Sequence, residues 1–152
     1  MAVGPGESGR VPPPALALGL GGLIPFIALA GGTAIGFMGL HDALRHALIA
    51  YAAVILSFVG AVHWGIALNA TVGVGRAPWQ DYTWSVIPAL LAWTALLLPP
   101  TLALALLVVT FLVQLVMDFV LSRHTPVPSW YLKLRVFLTT GVVLSLAVAV
   151  LN

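Results

Sequence analysis

The chain has no cysteine in its 152 residues, which removes disulfide frameworks, thiolate nucleophiles and cysteine-ligated metal centres from consideration. Charge is nearly as scarce. Six Lys or Arg and four Asp or Glu make up 7% of the residues, where a soluble domain carries about 25%. A chain so poor in charge cannot coat a water-facing surface. Its formal net charge of +2, with no basic patch interleaved with aromatics, gives a nucleic acid nothing to bind. The single lysine, Lys133, stands at the edge of an apolar stretch, so a buried Schiff-base cofactor such as retinal has no anchor. Also missing are a nucleophile–base pair, a phosphate-binding loop and a ligand-rich metal motif.

What remains is hydrocarbon: 61% of the residues are hydrophobic. A membrane-crossing helix needs about 20 predominantly apolar residues. Five segments qualify, at about 14–37, 43–69, 82–98, 101–121 and 130–151. This predicts an all-α integral membrane protein, a five-helix bundle in the lipid bilayer. Pro99-Pro100 forces a reversal between the third and fourth spans. The Gly/Pro-rich segment 1–13 reads as a flexible tail. Ala28-Leu29-Ala30 resembles a signal-peptidase site, but Glu7 and an apolar run continuing to Phe37 argue for a retained span. Arg10, Arg76, Arg123, Lys133 and Arg135 fall on one side of this arrangement and only Arg45 on the other. Positive-inside bias then places the N-terminus in the cytoplasm and the C-terminus outside, in a bacterial inner membrane in preference to a mitochondrial one. Trp79, Tyr82, Trp84, Trp130 and Tyr131 mark the same boundary as an aromatic belt.

Polar residues inside the spans carry the functional signal. His63 stands in the apolar run of the second span, and an ionisable residue at that depth needs a partner. In the fourth span Thr110, Gln114, Asp118 and Ser122 recur every four residues and form one stripe that should face into the bundle. In the fifth, Tyr131, Arg135 and Thr139 share a similar row. At 1.5 Å per residue, His63, Asp118 and Arg135 lie about 9, 6 and 8 Å inside the cytoplasmic ends of their spans. The shared depth predicts a buried polar cluster of His63, Asp118, Arg135 and Gln114, with an Asp118–Arg135 ion pair. Trp64, Trp84, Tyr131 and Thr139 are expected to line a pocket beside it. The cluster reads equally as a site and as a lock between helices, because buried ion pairs are weak evidence of more.

Ala53, Ser57, Ala61 and Gly65, with Gly60 beside them, form a small-residue row that would let a neighbouring helix approach. His63 is expected at its flank. Pro25 and Pro88 each interrupt a span's hydrogen-bond ladder. On the outer side Asp42 is expected to cap the second helix. His41 and His46 are five residues apart, a poor spacing for two metal ligands on one face. No metal and no cofactor is expected, and a two-histidine haem lacks its second buried histidine.

The segments Ser57–Gly65 (SFVGAVHWG), Trp84–Trp93 (WSVIPALLAW), the Gln114/Asp118 pair and Pro128–Thr139 (PSWYLKLRVFLT) resemble the transmembrane protein 69-like family, bacterial and mitochondrial membrane proteins with a domain of unknown function. The resemblance runs from about Leu18 to Thr139. It implies a small multi-span protein without an established activity, with recurring polar positions at His63, Trp64, Asp118, Tyr131 and Arg135. It also implies arginine at the His63 position in some relatives, which weakens any obligatory imidazole chemistry.

Three functions stay open. The first is a non-catalytic accessory, assembly or structural protein, working as a homo-oligomer or in a membrane complex. The second is a transporter or proton-handling protein using His63 and Asp118. The third is a quinone- or lipid-binding membrane protein.

Overall fold

The computed structural model describes residues 9–74, 79–125 and 127–152. Arg76 and residues 1–8 of the expected tail lie outside the described residues. The described chain forms five α-helices: α1 Pro13–Ala34, α2 His41–Val74, α3 Trp79–Ala95, α4 Pro100–His124 and α5 Ser129–Leu151.

Proline sets three of the five starts. Pro12, Pro99 and Pro128 occupy the cap positions of α1, α4 and α5, each in an extended conformation. Pro13 and Pro100 then open α1 and α4, where a missing N–H costs nothing and a fixed φ suits the helix. The turn after α1 is made by Gly36, with φ 61°, and a short 3₁₀ turn over Phe37–Gly39. Glycine takes that left-handed conformation without a steric penalty, whereas Met38 adopts φ 52° at some cost. α3 stops earlier than its apolar sequence suggests. Beyond Ala95 the amides of Leu96, Leu97 and Leu98 bond three residues back, to Trp93, Thr94 and Ala95. The tightening follows from Pro99, which disfavours helical backbone at the residue before it.

The helices run antiparallel in sequence order. Arg45, at the start of α2, donates to the Thr101 hydroxyl at the start of α4, and His41 meets the backbone carbonyl of Asn152 at the end of α5. The starts of α2 and α4 and the end of α5 therefore share one end of the bundle. α3 must return the chain along its length between them. α1 packs between α2 and α5, α4 packs on α5, α2 and α4 meet directly, and α3 lies against both.

The core is centred on Phe26, whose ring meets those of Tyr51 and Phe111 edge-on at 5.0 and 6.3 Å. Tyr51 also donates to the Gly22 carbonyl at 3.0 Å, close to the break that Pro25 makes in the α1 ladder.

α2 and α3 come into close contact at Gly60. A Cβ there would stand 3.0 Å from the Pro88 ring and 3.1 Å from the Ser85 carbonyl oxygen. The small-residue row expected over Ala53, Ser57, Ala61 and Gly65 is not the seam, since Ala61 and Gly65 are exposed. The buried face of α2 runs through Ala52, Leu56, Gly60, His63 and Ala67. His63 is on that face, not at its flank.

Among the described residues, four helical segments are long and apolar enough to cross a bilayer: Pro13–Ala34, His41–Leu68, Pro100–Arg123 and Ser129–Leu151. α3 has 17 residues, about 25 Å at 1.5 Å per residue against a hydrocarbon core of about 30 Å. The outer surface is apolar on every helix, with Leu18, Ile27, Phe58, Leu90, Val109 and Phe137 all exposed. A water-soluble protein does not present such a continuous apolar exterior.

Candidate functional site

Toward the end of the bundle where α1, α3 and α5 begin, one carboxylate gathers donors from two other helices and its own. Asp118 of α4 is 0% exposed. Its Oδ1 accepts from His63 Nε2 of α2 at 2.9 Å, from Gln114 Nε2 one turn earlier on α4 at 3.2 Å, and from Tyr131 Oη of α5 at 3.2 Å. Its Oδ2 accepts from Arg135 Nε of α5 at 2.6 Å. The ion pair expected from depth counting is the centre of this layer.

α3 joins through Gln114. Trp84 Nε1 donates to Gln114 Oε1 at 2.9 Å. An indole can only donate, so it fixes the amide with Oε1 toward Trp84 and Nε2 toward Asp118. Four helices, α2 to α5, are thereby tied through one residue pair on α4. The i, i+4 spacing of Gln114 with Asp118, and of Tyr131 with Arg135, puts each pair on one helix face and makes the convergence local.

The inner members of the layer are buried, while Arg135 and Tyr131 border a cavity. His63 is 1% exposed and Gln114 0%. With four donors directed at it, Asp118 serves as acceptor alone, the condition of an ionised carboxylate, and the Arg135 guanidinium compensates its charge. The bond to Asp118 requires a proton on His63 Nε2, since a carboxylate oxygen accepts.

Other expected positions separate from this layer. Trp64 is 45% exposed and its ring meets Tyr82 edge-on at 5.0 Å. Trp64 is next to His63 in sequence but about 100° away around the helix, so it faces outward. Thr110 and Ser122 bond back to the carbonyls of Leu106 and Phe119 on their own helix. Trp84 serves as a donor within the layer and does not line the adjoining cavity. Tyr131 and Thr139 do line one: a cavity of about 460 Å³ between α1, α2 and α5, bounded also by Arg135, Phe26, Val62 and Trp130.

At the opposite end His46 Nδ1 donates to the Asp42 carbonyl at 2.7 Å, and His41 lies 3.5 Å from the Asp42 carboxylate. Among the described residues no three His, Asp or Glu side chains stand close enough together to hold a metal ion.

Residues 11–151 match a family described as a protein of unknown function, DUF3429. Transmembrane protein 69 of Xenopus tropicalis is 37% identical over 142 residues, which is 93% of this chain and 55% of that protein. This chain belongs to the DUF3429 family of transmembrane protein 69-like proteins. It spans about half the length of the curated relative it matches. No solved structure matches it. This DUF3429 chain is a multi-helix membrane protein whose buried polar residues are organised around one carboxylate, Asp118.

Proposed function

We propose that this DUF3429 chain is a non-catalytic accessory or assembly protein of the membrane, and that the Asp118 layer is the lock fixing its helix packing. The observation that carries the reading is the complete internal use of Asp118. Among the described residues its bonds come from His63, Gln114, Tyr131 and Arg135, and the carboxylate has no exposed surface on which a substrate could act. A proton-handling role for His63 and Asp118 needs a water path to both; the cavity beside the layer is lined by Tyr131 and Arg135, and neither His63 nor Asp118 is part of its lining.

In this reading α3 is the fifth span, since it returns the chain from the end of α2 to the start of α4. The end carrying Arg10, Arg123 and Lys133 faces the cytoplasm of a bacterial inner membrane, with the C-terminus outside. Arg135 no longer counts toward that bias, because it is paired inside the bundle. The three remaining basic residues still outnumber Arg45 among the described residues.

Work done outside the layer falls to the apolar exterior, where a partner chain or a second copy would pack. A tagged chain, drawn from its native membrane in mild detergent and run on a native gel, should migrate with a stable larger complex. Migration of all the chain as the free protomer would contradict the accessory role. Proteoliposome proton flux identical in the wild type and in His63→Ala and Asp118→Asn variants is the accompanying expectation.

A further inference from the structure

Arg135 has a second face. Its Nε is bound to Asp118, but its Nη2 is buried without a hydrogen-bond partner, and so is the Oγ1 of Thr139 one turn along α5. Arg135 is 9% exposed and Thr139 2%. Thr139 is an exception among the buried hydroxyls: Thr33, Ser85, Thr110 and Ser145 each bond back to a carbonyl of their own helix. Burying a polar group without a partner is costly, more so in a membrane where water cannot substitute. Both residues line the cavity between α1, α2 and α5. Two residues one turn apart, each with an unpartnered donor, thus line one cavity whose remaining walls are almost wholly apolar.

We propose that this cavity binds an ester-linked membrane lipid, with one acyl chain along the apolar walls and an ester carbonyl oxygen toward which the Arg135 and Thr139 side chains turn to donate from Nη2 and Oγ1. Four features select that occupant. The volume of about 460 Å³ lies in the range of small-ligand pockets, about 300–1,000 Å³. The walls run along α5 from Trp130 to Val142, about 18 Å at 1.5 Å per residue, so the space is long and suits a chain. Charge favours a neutral acceptor over an anion, because Asp118 already compensates Arg135 and a second carboxylate or phosphate would leave buried negative charge unpaired. Depth agrees as well. Arg135 lies about 9 Å from the start of α5, just below the level where Trp130 marks the interface, close to where lipid esters sit between headgroup and hydrocarbon. This site is independent of the accessory role proposed above, and each can fail without the other.

The test uses the whole chain, purified in detergent, washed free of lipid, and titrated with palmitoyl-oleoyl phosphatidylcholine while bound lipid is counted by native mass spectrometry. The diether phosphatidylcholine of matching chains keeps the tails and headgroup but has no carbonyl. The ester lipid should bind roughly three- to tenfold more tightly than the ether, the effect of one or two hydrogen bonds. Thr139→Val should erase most of that preference with the thermal midpoint little changed, and Thr139→Ser should keep it. Ala15→Phe, which fills the cavity from α1, should lower the affinity for both lipids. Equal binding of ester and ether lipid by the wild-type chain would overturn the proposal, even if every variant misfolded. Tighter binding of ubiquinone-1 than of the ester lipid, in the same titration, would overturn it in favour of a quinone.

Discussion

Replacing Asp118 by leucine leaves the Arg135 guanidinium buried among hydrocarbon with no counter-charge. It also strands the donors of His63, Gln114 and Tyr131. Removing one member of a buried ion pair costs about 3–5 kcal/mol. Interhelical hydrogen bonds in membranes average about 0.6 kcal/mol, so the two from His63 and Tyr131 together account for about 1 kcal/mol of the total. Arg135→Met should cost a similar 3–5 kcal/mol, because it leaves the carboxylate unpaired. The double variant removes both charges, and apolar replacement of a buried pair is often close to neutral. Only the stranded donors then remain, about 1 kcal/mol at the membrane average for the two interhelical ones. The sum of the single losses, about 6–10 kcal/mol, should therefore exceed the loss in the double variant by several kcal/mol. Unfolding in mixed micelles titrated with dodecyl sulfate, followed by circular dichroism, measures all three. Additive losses, or a single-variant loss below about 1 kcal/mol, would refute the claim that the Asp118–Arg135 pair holds the layer together.

Three further expectations rest on other contacts. Gly60→Ala should destabilise the bundle by about 1–3 kcal/mol in the same assay, because the new Cβ meets the rigid Pro88 ring and the Ser85 carbonyl, an overpacked position. Gly65→Ala, with open space at its Cβ, should cost nothing measurable. Trp84→Phe keeps most of the ring but strands Gln114 Oε1, and should cost about 0.5–2 kcal/mol. Since the chain has no natural cysteine, Arg10→Cys gives a clean reporter of orientation: a membrane-impermeant maleimide should label it only from the cytoplasmic face, and labelling from outside would invert the topology.

Much of this arrangement is written in periodicity. The four-residue recurrence of Thr110, Gln114, Asp118 and Ser122, and of Tyr131, Arg135 and Thr139, is a direct consequence of helical geometry. Counting residues from the span ends brings His63, Asp118 and Arg135 to one depth, because each rises by the same increment per residue. The helix starts at Pro13 and Pro100 are equally legible.

What stays hidden depends on rotation and on neighbours. Trp64 and Trp84 look alike as aromatics near a polar layer, yet one turns outward onto Tyr82 and the other donates to Gln114. The rotation of α2 that puts Gly60, and not Gly65, against α3 follows from the contact with Pro88, a residue 28 positions away. The early end of α3 is masked by Leu96, Leu97 and Leu98, which are as apolar as a continuing helix would be. The unpartnered Thr139 hydroxyl has no sequence signal, because a threonine that bonds back to its own helix and one that does not are the same letter.

The most direct measurement on the Asp118 layer is the exchange of the His63 ring proton. In protein labelled with ¹⁵N-histidine, the Nε2–H of His63 should give a resonance that persists for hours after transfer to D₂O, since it is bound to Asp118 and 1% exposed. It should disappear in Asp118→Asn, while His41 and His46 near the opposite end exchange at once. A His63 proton that exchanges as fast as theirs would show that water reaches the layer, and the sealed lock would have to give way to a water-accessible site.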